Sequence, residues 1–217
     1  MHVLFCHGLE SGPNGYKSRA LRSQGALVTA PDMQMSLFNP AKTNSLVRSL
    51  LSPSALFTRW PSQWLAGALG DSFEACLEVQ RAALQSDNSF DVLIGSSWGG
   101  AVAAALVAEG SWKGPAVLLC PALGELRRRT TTLSIVERLA ELPTERKAQC
   151  LLVHGDMDET VPLADSSKLS EETGIALVVI EGGNHGMGAV ASDGRLFEFA
   201  KRVLGGGGAV DVPGAPR

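Results

Sequence analysis

The chain has 217 residues, 45% hydrophobic and 19% charged, with a formal net charge of −3. That length suits one sizeable core, and the small net charge argues against nucleic acid or an anionic membrane as a partner. Four cysteines without a C-x-x-C pair do not read as a disulfide or metal framework; buried reduced thiols of a cytoplasmic protein are expected instead. The chain starts Met1-His2-Val3-Leu4-Phe5 and runs straight into an apolar stretch, which is not a signal-peptide pattern, and no apolar run is long enough to span a membrane.

Residues 3–6 predict a short buried strand, followed by the turn-forming stretch His7-Gly8-Leu9-Glu10-Ser11-Gly12-Pro13-Asn14-Gly15. A helix is expected over 16–24, closed by Gly25, and a strand over 26–30, ended by Pro31. Residues 32–70 are the least regular part, with Pro40, Pro53 and Pro61 among scattered Leu, Phe57, Trp60 and Trp64; Leu46, Val47, Leu50 and Leu51 have helical spacing. Two readings stay open for this segment: a partial cap over a binding site, or a surface excursion packed on the core. Residues 71–85 predict an amphipathic helix with Phe73, Cys76, Leu77, Val79, Ala83 and Leu84 inward.

The next stretch, Val92-Leu93-Ile94-Gly95-Ser96-Ser97-Trp98-Gly99-Gly100, joins an apolar strand to an Ala-rich helix through the pattern G-x-S-x-G. In so tight a turn, the residues two before and two after the serine must be small, because a Cβ there would strike the neighbouring strand or helix. Gly95 and Gly99 meet that need for Ser97, whereas Ser96 would have Ile94 at the first of these places. Ser97 is therefore the candidate nucleophile. The amides of Trp98, just after it, and of Leu9, just past the His7-Gly8 pair, are the candidate oxyanion-hole donors. His7 is read as shaping its loop, and the Trp98 ring is expected beside the substrate pocket or under the cap.

A strand over 115–120, surface helices within 123–147 and a strand over 149–153 follow. The loop His154-Gly155-Asp156-Met157-Asp158-Glu159-Thr160-Val161-Pro162 holds three acids. A helix over 166–173 and a β-branched strand over 175–180 lead to Glu181-Gly182-Gly183-Asn184-His185-Gly186 and a last helix over 196–204. One domain is expected over 1–204, with a disordered Gly/Pro-rich tail over 205–217. The four histidines lack zinc-ligand spacing, so neither a metal nor an organic cofactor is expected.

Three blocks carry a family resemblance: Leu4-Phe5-Cys6-His7-Gly8-Leu9-Glu10-Ser11-Gly12-Pro13 with Lys17 and Leu21 after it, Ile94-Gly95-Ser96-Ser97-Trp98-Gly99-Gly100, and Val179-Ile180-Glu181-Gly182-Gly183-Asn184-His185. On these the chain resembles the α/β-hydrolase superfamily and, more narrowly, is similar to small YqiA-like serine esterases. The acid loop with Val161-Pro162 resembles dienelactone hydrolase-like and acyl-peptide hydrolase-like branches. The resemblance implies a doubly wound, mostly parallel sheet with helices on both faces, and hydrolysis of short-acyl esters or thioesters. It assigns Ser97 as nucleophile, His185 as general base and Asp158 as the acid that orients His185, in the superfamily's chain order. Asp156 and Glu159 are then expected to be solvated and His154 structural. The implied partner is a small-molecule ester or thioester. Two other classes stay open: a ligand-binding or signalling protein with slow turnover, and a C–C hydrolase or perhydrolase using the same three residues.

Overall fold

The computed structural model describes residues 1–51, 61–124, 126 and 134–206. Its strands are β1 (His2–Cys6), β2 (Leu27–Thr29), β3 (Val92–Ser96), β4 (Ala116–Leu119), β5 (Cys150–Gly155) and β6 (Ala176–Ile180). Its helices are α1 (Tyr16–Ser23), α2 (Leu46–Leu50), α3 (Pro61–Ser86), α4 (Trp98–Glu109), α5 (Ile135–Ala140), α6 (Thr144–Ala148), α7 (Leu163–Thr173), α8 (Gly188–Ser192) and α9 (Arg195–Leu204). The strands form one sheet in the order β2-β1-β3-β4-β5-β6, and every neighbouring pair is parallel.

A parallel sheet covered on both faces needs strands that are apolar throughout, and β3 and β4 are buried along their whole length. Successive side chains then feed opposite layers. Leu4, Cys6 and Leu93 pack with Phe73 and Leu77 of α3, Val102 and Leu106 of α4, Leu139 of α5 and Leu169 of α7. Val3, Phe5, Val92 and Ile94 pack with Leu21 of α1, Val190 of α8, and Leu196, Ala200 and Val203 of α9. This is the doubly wound α/β arrangement expected from the sequence.

The chain runs from β1 outward to the edge strand β2 and returns to β3 on the other side of β1. Strand order therefore reverses between β1 and β3, and open α/β sheets bind ligands in the crevice beyond the carboxyl ends of the strands at such a point. The His7–Gly15 turn and Ser97 leave those two strand ends. The 156–162 and 181–187 loops leave β5 and β6 at the same edge.

Several boundaries differ from expectation. The helix expected at 71–85 starts at Pro61. Proline fits a first helical turn because its missing N–H has no partner there anyway. Gly67 and Gly70 are carried inside the helix, where Ala68 and Leu69 are buried. Residues 61–70 thus continue into the same helix as 71–86. Of the remaining excursion, Met33 and Met35 are core residues while Phe38 and Leu51 are exposed. Pro53, Phe57 and Trp60 lie outside the described residues, as does the tail from 207 onward. The helices expected on the surface within 123–147 bury Ile135, Val136 and Leu139. The five-residue α8 was not anticipated. No described helix is long and apolar enough to cross a membrane.

The tightest backbone approach lies at the start of α4. A Cβ on Gly99 would collide with the main-chain carbonyls of Cys6 and His7, and one on Gly95 would lie 2.6 Å from the Ala103 Cβ. Gly99→Ala is therefore expected to cost about 1–3 kcal/mol or more, read as a lower urea midpoint at unchanged slope. Gly70 faces open space within its helix, so Gly70→Ala is expected to raise the midpoint by about 0.5–1 kcal/mol of stability.

Candidate active site

Ser97 occupies a backbone conformation that side chains rarely adopt, φ 58° and ψ −118°. Its neighbours hold it there. The Ser97 amide donates to the Leu119 carbonyl of β4 at 2.8 Å, and its carbonyl accepts from the amides of Ala101 and Ala122, each at 3.1 Å. The loop after β1 presses on it from the other side: a Cβ on Gly8 would sit 3.3 Å from the Ser97 Cβ. The Leu9 amide belongs to the residue after that contact. The Trp98 amide is the first of α4, where a helical N–H has no partner within the helix. The residues that carry the two expected oxyanion donors thus adjoin Ser97, one following it in the chain and the other following Gly8. The Trp98 ring does not line the cavity. It is buried against Phe73 of α3, edge to face, with ring centroids 5.4 Å apart.

The Ser97 hydroxyl donates to His185 Nε2 at 2.9 Å, and His185 Nδ1 lies 2.8 Å from Asp158 Oδ2. A carboxylate only accepts, so Nδ1 carries the ring hydrogen and Nε2 offers its lone pair to Ser97. The loops that bring these groups together touch through glycine backbone. The Met157 amide donates to the Gly183 carbonyl at 2.9 Å, and a Cβ on Gly183 would sit 2.9 Å from the Gly155 Cα.

The Asp158 side chain is fully buried, which alone would raise its pKa. The Val161 amide, the His185 imidazole, the Thr160 amide and the Cys120 thiol more than offset that and hold the carboxyl below the usual range. Both amides donate to Oδ1 at 2.8 Å. The buried His154, read from the sequence as structural, packs beside this carboxylate. Its Nε2 lies 2.9 Å from the Val161 carbonyl and 3.2 Å from Asp158 Oδ2, and its Nδ1 lies 2.7 Å from Ser166 Oγ. A carbonyl only accepts, so Nε2 is the protonated nitrogen and gives its N–H to Val161, beside the Asp158 oxygen that His185 uses. Asp156 and Glu159 are exposed.

Cys120, His154 and Asp158 bring sulfur, nitrogen and oxygen within 4.8 Å of one another. The His154 nitrogen of this group lies 2.9 Å from the Val161 carbonyl, and burial pushes the Cys120 thiol, which donates to the Asp158 carboxylate, up to about 12.

His7 shapes the oxyanion loop, as its position after β1 suggested. Nε2 accepts from the Met33 amide at 3.1 Å and Nδ1 donates to the Gly8 carbonyl at 3.0 Å, while burial lowers the ring's pKa and keeps it neutral. Glu10 is a contact the sequence did not announce. Its carboxylate accepts from Ser36 Oγ at 2.8 Å and from the Leu37 amide at 2.7 Å, which ties the oxyanion loop to the excursion. Above Ser97 and His185 opens a cavity of about 730 Å³, with Leu9, Leu37, Thr160 and Met187 in its walls.

The fold is similar to a Thermus thermophilus protein, TT1662, at 22% identity and TM-score 0.57, covering 94% of this chain and 88% of that one. It is also similar to Est1E of Butyrivibrio proteoclasticus, at 18% identity and TM-score 0.57, over 94% of this chain and 85% of that one. A Xanthomonas campestris protein placed in the alpha/beta hydrolase superfamily aligns at 22% identity and TM-score 0.51, over 94% and 95% of the two chains. These likenesses concern the fold and agree with the superfamily expected from the sequence motifs. No curated protein matches the chain by sequence. The family model for serine hydrolases of the FSH1 type matches residues 3–188, and the chain accordingly belongs to that family.

Proposed function

We propose that this serine hydrolase cleaves small-molecule carboxylic esters or thioesters, with a preference for short acyl chains, through an acyl-enzyme on Ser97. The observation that supports this is the unbroken hydrogen-bonded line from Ser97 through His185 to buried Asp158, at the floor of the cavity. Ser97 Oγ attacks the carbonyl carbon while its proton passes to His185 Nε2. The oxyanion that forms rests on the Leu9 and Trp98 amides, each such donor being worth about 2.7–4 kcal/mol of barrier. Collapse breaks the bond to the alcohol or thiol, which takes the proton back from His185. A water deprotonated by His185 then hydrolyses the acyl-Ser97 ester. Asp158 stays ionised throughout and stabilises the imidazolium. Ser97, His185 and water account for every proton, so the reaction as written calls for no cofactor. The four cysteines are buried free thiols, which supports a reducing compartment such as the cytoplasm.

The test is labelling with a fluorophosphonate and turnover of p-nitrophenyl esters of increasing acyl length. Wild type is expected to be labelled and to favour short chains, and Ser97→Ala to do neither. Labelling without turnover would favour the ligand-binding or C–C-cleaving readings; equal behaviour of the two proteins would remove Ser97 from the reaction.

Asp158→Asn leaves the imidazole without a fixed tautomer, and kcat is expected to fall by roughly 10⁴-fold. The Asp158 carboxyl is more acidic folded than unfolded, so it stabilises the fold above the ordinary carboxylate range and loses that contribution as pH falls through its native value. Chemical unfolding should accordingly show wild type ahead of Asp158→Asn at neutral pH, with the gap narrowing below about pH 4.

A further inference from the structure

The cavity holds a charge that the reaction above does not use. Lys17 of α1 lines it together with Ser97 and His185. The side chain is half-buried, and among the described residues it makes no hydrogen bond and no ion pair. Burial lowers the pKa of its ammonium. The ionisable neighbour that acts on it is the Cys120 thiol, itself pushed up to about 12 by burial, so it supplies no negative charge at neutral pH.

A cation drawn partly out of water without a counter-charge is unfavourable, and native structures give such groups a partner. The other charged groups in the lining do not meet that need. Arg195 has its charge matched by Asp193 at 2.8 Å, and Glu181 is exposed to water. Lys17 is therefore the half-buried cation of this wall that has no counter-charge beside it among the described residues, on the same cavity as Ser97. An ammonium is a compact point charge with three donors and suits a single negative group.

Taking the ester or thioester reading as its basis, we infer that Lys17 is a specificity-determining residue. It receives a carboxylate carried by the substrate itself, so the preferred substrates are monoanionic esters or thioesters. The carboxylate can sit on the acyl part, as in a half-ester of a dicarboxylic acid, or on the leaving group.

Three esters separate these cases: p-nitrophenyl butyrate, which is neutral; mono-p-nitrophenyl glutarate, with its charge on the acyl side; and the butyrate ester of 3-carboxy-4-nitrophenol, with its charge on the leaving group. Each is measured with wild type, Lys17→Met, which keeps the apolar stem, and Lys17→Arg, which keeps the charge; Lys17→Gln replaces the methionine variant should that one not fold. The ratio of kcat/KM on one charged ester to kcat/KM on the neutral one is expected to fall about 10–100-fold in Lys17→Met and to be largely kept in Lys17→Arg. An unchanged ratio overturns the inference. That includes equal losses on all three esters, which would make Lys17 a general electrostatic aid to the oxyanion.

A binding readout keeps this separate from the hydrolytic reading. Monomethyl glutarate and methyl butyrate are titrated calorimetrically into Ser97→Ala, with and without Lys17→Met. Lys17-dependent binding of the anionic ester alone supports the inference even if no ester is turned over. If the esters are cleaved but neither the ratio nor the binding depends on Lys17, only the inference about Lys17 falls.

Discussion

The site depends on how closely the first turn of α4 approaches the end of β1. Gly99 lies against the Cys6 and His7 carbonyls, and Gly95 leaves room for Ala103 one helical turn on. With no Cβ at either place, helix and strand meet backbone to backbone. The connecting residue, Ser97, is left in a conformation that costs free energy of order 1–3 kcal/mol. It persists because β4, α4 and the residues after β4 each fix one of its main-chain groups. The same closeness sets the loop after β1 beside the serine, so Ser97 and the backbone of Leu9 and Trp98 share one rigid origin in the sheet. Preorganised dipoles of this kind need no rearrangement when charge develops on a substrate.

A second constraint is the burial of a carboxylate. Asp158 lies out of water, where an ionised acid is tolerated only if its oxygens are met by donors. Two backbone amides, the imidazole of His185 and the Cys120 thiol supply them. They come from the ends of β4 and β6 and from the loop after β5, so the charge is met by the assembled sheet edge rather than by one facing cation. Strain gathers at the same edge. Of the non-glycine residues at positive φ, Glu10, Ser97, Cys120 and Met187 all follow strand ends around the cavity.

Much of this was readable in the chain because it rests on local chemistry. The apolar strands and G-x-S-x-G needed only hydrophobic runs and glycine spacing. Ser97 followed from that spacing, while Asp158 and His185 were assigned by the family resemblance, in its chain order after later strands. What escaped was set by distant contacts. Pro61 opens α3 because Ala68 and Leu69 find a core to pack against, which propensity within residues 61–70 could not show. The Trp98 ring was placed by its nearness to Ser97, yet the direction of α4 turns it onto Phe73.

The Glu10 carboxylate joins the loop that bears Leu9 to Ser36 and Leu37 of the excursion. Leu37 also forms part of the cavity wall. The amide that would steady the transition state and the side chain that would touch the substrate are therefore mechanically one piece. Remodelling this excursion to admit a bulkier ligand would also shift the Leu9 N–H relative to Ser97. In this scaffold, selectivity and turnover are inherited together, and a variant that changed its diet through residues 36–37 would change its rate as well.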